Sequence, residues 1–287
     1  MKRLPGSIIF TIFLFFTLPV HAGQMRVFVS IAPQKYFMLK IGGSHITASV
    51  MVGTGDNPAT YEPSPSQMTA LAGARAYFAI GVPFESAWLP RIAAANPAIK
   101  IIHTEQGIEK KPINRKGSAV NVKGQMPDPH IWLSPPLVML QARTIAVALA
   151  DFDPEHASQY LANFRAFIDE ITATDAAISI RLAPLPRPAV FLTFHPSWGY
   201  FADAYGLEQV SIEADGKSPK PAALGRLIEF AKKKKIKTIL VQPQFSTRAA
   251  TIIAKAINGK VITADPLAYD WQNNLIKFSN AIAGAAR

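Results

Sequence analysis

Eight short β-branched or apolar runs, separated by amphipathic stretches, restrict this 287-residue chain to an α/β fold more tightly than any other feature does. Four of the runs fall in the first half, at residues 25–31, 46–52, 76–80 and 99–102. The other four fall in the second half, at 189–194, 209–212, 236–241 and 260–263. The pattern predicts two lobes, each built on a roughly four-stranded, mainly parallel sheet flanked by helices.

Between the two sets, Asp153-Pro154-Glu155 reads as a helix start, with Asp153 able to cap free amides and Pro154 suited to the first turn. From Glu155 to about Leu182 there is no Gly or Pro. Tyr160, Leu161, Phe164, Phe167, Ile168 and Ile171 recur there at spacings that make one apolar stripe. Leu185-Pro186-Arg187-Pro188 then stops the helix. At ~1.5 Å per residue it is roughly 40 Å long. A single stiff connector over 153–184 therefore joins an N-terminal lobe, 23–152, to a C-terminal lobe, 185–287, and favours a modest tilt over a flexible hinge.

Residues 1–22 have the three parts of a cleavable secretory signal: Lys2 and Arg3, an apolar run from Ile8 to Val20, and Ala22 before Gly23. The expectation is export to the periplasm. Cysteine is absent, which excludes disulfides, thiolate ligands, a cysteine nucleophile and a lipidated cysteine. Any metal site must use nitrogen and oxygen. Removing Lys2 and Arg3 lowers the formal net charge from +11 to +9. Export argues against nucleic acid as the partner, and the dense basic run Lys232 to Lys235 suits the negative end of a helix. The segment from Gly107 to Gln125 is polar, basic and interrupted by Pro112, Gly117 and Gly124, so it reads as a loop.

In open α/β sheets, ligands bind beyond the carboxyl ends of the strands. His195 directly follows the fifth run, Asp265 follows the eighth, and Asp128-Pro129-His130 precedes a helix starting at Pro135. Imidazole with carboxylate suits zinc and related divalent ions. His130 and His195 are 65 residues apart, so no local ligand pair singles them out.

Six ordered motifs do single them out. The segments are Pro58-Ala59-Thr60-Tyr61-Glu62-Pro63, Gly81-Val82-Pro83-Phe84-Glu85, Asp128-Pro129-His130-Ile131-Trp132-Leu133, Phe194-His195-Pro196-Ser197-Trp198-Gly199, Gln242-Pro243-Gln244-Phe245 and Ala264-Asp265-Pro266-Leu267. Together they resemble the metal-binding proteins of zinc and manganese ABC importers, from about Met25 to the C-terminus. The resemblance implies a periplasmic substrate-binding protein that delivers its metal to a membrane permease without turnover; the absence of cysteine adds the expectation of an unlipidated protein, and a monomer is expected. It implies His130, His195 and Asp265 as metal ligands. Histidine at position 195 goes with zinc in the family, and nitrogen donors favour zinc over manganese, so Zn2+ is the expected bound substrate, with Mn2+ or another divalent ion as the alternative.

Ala59 departs from the family, which has its first ligand histidine there, and Gln242 stands where a glutamate is common. Three readings follow: water or a small anion completes the shell, Glu62 swings in as an additional ligand, or the metal arrives held by a small chelator. A paralogue that has lost metal binding is the further alternative. A zinc-dependent hydrolase is disfavoured because no His-Glu-x-x-His motif is present.

Overall fold

The computed structural model describes residues 23–113, 126–213 and 216–285. The expected signal segment, and positions 114–125 of the expected loop, lie outside the described residues. No helix among the described residues is long and apolar enough to cross a membrane.

Each of the eight predicted runs forms a strand. β1 (Met25–Val29), β2 (Ile46–Val50), β3 (Ala76–Ala79) and β4 (Lys100–His103) make one sheet in the order β2-β1-β3-β4. β5 (Ala189–Thr193), β6 (Leu207–Ser211), β7 (Thr238–Val241) and β8 (Lys260–Thr263) make a second in the order β6-β5-β7-β8. Every pairing is parallel. All four residues of β3 and of β7 are buried, as central strands covered on both faces must be. In both sheets the order reverses between the first and third strands, which opens a crevice at their carboxyl ends.

The connector is α5 (Ala157–Leu182), 26 residues long and so about 39 Å. Its buried face is Tyr160, Phe167, Ile171, Thr174, Ile178 and Leu182. It packs against α4 (Pro135–Phe152), α1 (Ala32–Gly42) and α9 (Trp271–Ala285). The one connector is therefore flanked by helices of both lobes, as expected of a stiff joint. Phe37 of α1, Phe167 of α5 and Trp271 of α9 meet ring to ring at 5.3–6.4 Å. Trp198, just before α6 (Gly199–Tyr205), stacks on Phe278 of α9 at 3.5 Å. A smaller core lies under α7 (Pro221–Lys233) and α8 (Arg248–Ala256) in the C-terminal lobe. Lys232 and Lys233 occupy the last turn of α7, opposite the sign of the helix terminus.

The start of the connector differs from expectation. Asp153 makes no side-chain cap; its Oδ2 accepts instead from Nδ1 of His156 at 2.8 Å and from the Tyr160 hydroxyl at 2.7 Å. A one-turn 3-10 segment, Pro154–His156, brings those donors within reach. The His156 ring also stacks on that of His45, at 3.9 Å. Burial pushes the Asp153 carboxyl up, but the bonds from Tyr160 and His156 outweigh it and hold the group below its ordinary value. A carboxyl depressed on folding adds stability above its unfolded pKa and loses it as the pH falls through the folded one. Asp153→Asn is thus expected to cost about 1–2 kcal/mol at pH 7, with the difference closing below about pH 4. Thermal melts of both proteins from pH 7 down to pH 3 check this; equal melting temperatures at pH 7 would count against it.

Candidate metal centre

The parallel register of the second sheet builds half of the site. Thr193 of β5 pairs with Ser211 of β6 and with Leu240 of β7. Two residues further along each strand's exit stand His195, Glu213 and Gln242. Nδ1 of His195 lies 2.7 Å from Oε1 of Glu213, which is 5% exposed. Gln242, buried, grips the His195 backbone from the other side: its Oε1 accepts from the His195 amide at 3.1 Å, and its Nε2 donates to the His195 carbonyl at 2.7 Å. The same amide reaches the hydroxyls of Thr193 and Ser197 at 3.0 Å. Phe245 stacks on the imidazole at 5.0 Å. The position is held from three directions.

The other half comes from the segment ahead of α4. Lys111 and Asp128 pair through a 2.7 Å backbone bond, and the Tyr200 hydroxyl of α6 donates to the Asp128 carbonyl at 3.2 Å. Oδ1 of the buried Asp128 accepts from the His130 amide at 3.0 Å and faces its Nδ1 at 2.7 Å. Burial is the largest influence on His130 and lowers its pKa, against the raising effect of Asp128. The neutral ring that results is the form that can donate a lone pair to a metal.

The two imidazoles meet, with ring centroids 5.3 Å apart and an interplanar angle of 69°. Because a carboxylate accepts, Nδ1 of each ring carries a hydrogen, and Nε2 is the nitrogen each ring can offer to a metal. Neither Nε2 has a hydrogen-bond partner among the described residues. Both rings line one cavity of about 120 Å³, together with Ala59, Gly81, Trp132 and Gln244. Gly81, at φ +80°, makes a turn that a side chain would strain; its amide donates to Oε2 of Glu85 at 2.8 Å.

Asp265 stands outside the cavity wall and is tied to it through Gln244. Its Oδ1 accepts from the Leu267 amide at 3.0 Å and from Nε2 of Gln244 at 3.1 Å. Its neighbours Pro266 and Leu267 line the cavity. Oδ2 has no hydrogen-bond partner among the described residues. Glu62 sits elsewhere, exposed in a separate surface depression with Asp56, Thr60 and Tyr61. Among the described residues, no three His, Asp or Glu side chains are grouped so as to hold a metal ion. The converging pair is His130 and His195.

Sequence reasoning did not single out Asp128, Glu213 or Gln242 as supports of these rings. Asp128 was legible as the residue two before His130. Glu213 becomes visible only once β5 and β6 are paired in register. Removing an outer partner of this kind costs about 10–100-fold in metal affinity. Glu213→Ala is expected to fall in that range for zinc, and Glu213→Gln, which keeps an acceptor, to recover part of it. Competition titration against a chromophoric chelator measures both, and an affinity for Glu213→Ala within threefold of the parent would remove the role.

Two parallel-sheet lobes bound by a rigid helix, with paired, carboxylate-backed imidazoles at the sheet crevices, define a substrate-binding protein of the metal-binding class. Residues 27–284 match the family described as zinc-uptake complex component A, periplasmic, and the chain belongs to that family, whose members are the metal-binding proteins of ABC importers. It is similar to a crystal structure of ZnuA, with 42% identity, a TM-score of 0.86, and coverage of 92% of this chain and 100% of that one. The zinc-binding lipoprotein AdcA of Streptococcus pneumoniae is 25% identical over 254 residues, which are 85% of this chain but 50% of AdcA. The chain thus spans half the length of that relative. The manganese-binding lipoprotein MntA of Halalkalibacterium halodurans is 24% identical over 78% of this chain and 74% of its own length.

Proposed function

We propose that the protein captures a divalent transition-metal ion in the periplasm, zinc in preference to manganese, and hands it to the permease of an ABC importer without chemical turnover. The observation that carries this reading is the pair of buried or half-buried imidazoles with Nδ1 on carboxylates and Nε2 unengaged. That is the arrangement by which carboxylates hydrogen-bonded to the far nitrogen orient histidine ligands. Two nitrogen donors favour zinc, in keeping with the names of ZnuA and AdcA. On this reading Asp265 turns its Oδ2 to the ion as a third donor only when metal binds, between the lobes 23–152 and 185–287 that the connector 153–184 holds together, and the protein works as a monomer. Ala59 takes the place of a fourth, nitrogen, ligand.

The test is to titrate metal-stripped protein with zinc and, separately, with manganese. Zinc is expected to bind at micromolar concentration or below, and more tightly than manganese. Failure to bind zinc at micromolar concentration overturns the proposal.

A further inference from the structure

The cavity beside the two imidazoles has the wrong size and lining for a bare ion. At about 120 Å³ it offers roughly ten times the ~10–15 Å³ that a single water needs. Its walls are largely apolar, with Met126, Pro127, Trp132, Phe245 and Leu267 among them. Ordered water requires two to four polar partners, and away from His130, His195, Asn57 and Gln244 the wall side chains are apolar. Ala59 presents only a methyl group to this space.

Donor counting points the same way. His130, His195 and Asp265 give at most three protein ligands, one short of a closed tetrahedral zinc shell. A fourth donor has to come from outside the protein.

We infer that the site takes its metal together with a small chelating ligand of the amino-carboxylate class, whose body occupies the space beside Ala59. Nitrogen and oxygen donors on one small molecule complete the coordination, and its carbon skeleton covers the apolar wall. This rests on the metal-binding reading given above and names the form of its cargo.

The experiment measures zinc binding by the full mature protein in three conditions: zinc alone, zinc with equimolar L-histidine, and zinc with excess glycine. Native mass spectrometry of each mixture reads the composition of the complex. The expected result is a protein–zinc–histidine species in 1:1:1 ratio and an apparent zinc affinity at least tenfold higher with L-histidine than without. Glycine, which has no side chain to cover the wall, is expected to raise the affinity less. Ala59→His brings an imidazole to the cavity wall and is expected to bind zinc alone more tightly while losing the gain from L-histidine. If L-histidine only competes for zinc, and the protein carries zinc with no amino acid, the inference is overturned while metal binding stands. If neither zinc nor its amino-acid complexes bind, the metal-binding reading itself falls and takes the inference with it.

Discussion

Replacing His195 with alanine is expected to lower zinc affinity by more than a hundredfold, and replacing His130 with it to abolish binding at micromolar zinc. The magnitude follows from the tiers of the site. Loss of an outer carboxylate partner costs about 10–100-fold, and a ligand that such a partner merely orients must be worth more. His195 is the cleaner position, because its side chain is 21% exposed and its removal empties little of the core. His130 is 8% exposed and rests at 5.1 Å from Trp132, so its truncation also disturbs packing. Circular dichroism separates the two effects. A His195→Glu variant offers a second readout: a harder oxygen donor should move selectivity towards manganese while leaving the fold intact. If His195→Ala keeps zinc affinity within threefold of the parent, the metal is held elsewhere.

The fold was readable because the signals that specify it are local. Continuous apolar runs such as Ala76–Ala79 announce buried parallel strands, and the stretch from Glu155 to Leu182, free of Gly and Pro, announces the connector. The site was readable only in part, because its geometry depends on register and on contacts between distant segments. Glu213 means nothing until Thr193 is placed opposite Ser211. Gln242 looked like a departure from the family pattern, yet its amide, which both donates and accepts, clamps the His195 backbone in a way a carboxylate cannot. Asp153 looked like a cap because Asp-Pro often is one, and the His156 ring nitrogen and Tyr160 hydroxyl that compete for it were three and seven residues away. The rigid seam between the lobes was equally hidden, since Trp132, Trp198 and Trp271 declare in sequence only that they are large and apolar.

Truncating Trp271 to alanine is expected to destabilise the protein by about 3–5 kcal/mol and to weaken zinc binding from a distance. The ring is 1% exposed and packs edge-on against Phe37 at 5.3 Å, which accounts for the stability term. Its second effect runs through hydrogen bonds. Nε1 of Trp271 donates to the Trp132 carbonyl at 2.6 Å, and Nε1 of Trp132 donates to the Pro266 carbonyl at 2.7 Å. Trp132 of one lobe is thus pinned at both ends by the other, directly between His130 and the Asp265-Pro266 turn. Trp271→Phe keeps most of the packing and removes only the donor, leaving the Trp132 carbonyl short of a partner at a cost of about 1–3 kcal/mol. Urea unfolding with and without zinc measures both variants: the parent gains about 2.7 kcal/mol when zinc is held at a hundred times its Kd, and the gain should shrink in each variant at the same zinc concentration. A Trp271→Phe protein that is less stable but gains as much from zinc as the parent would show that the tryptophan clamp supports the fold alone and does not set the position of the ligands.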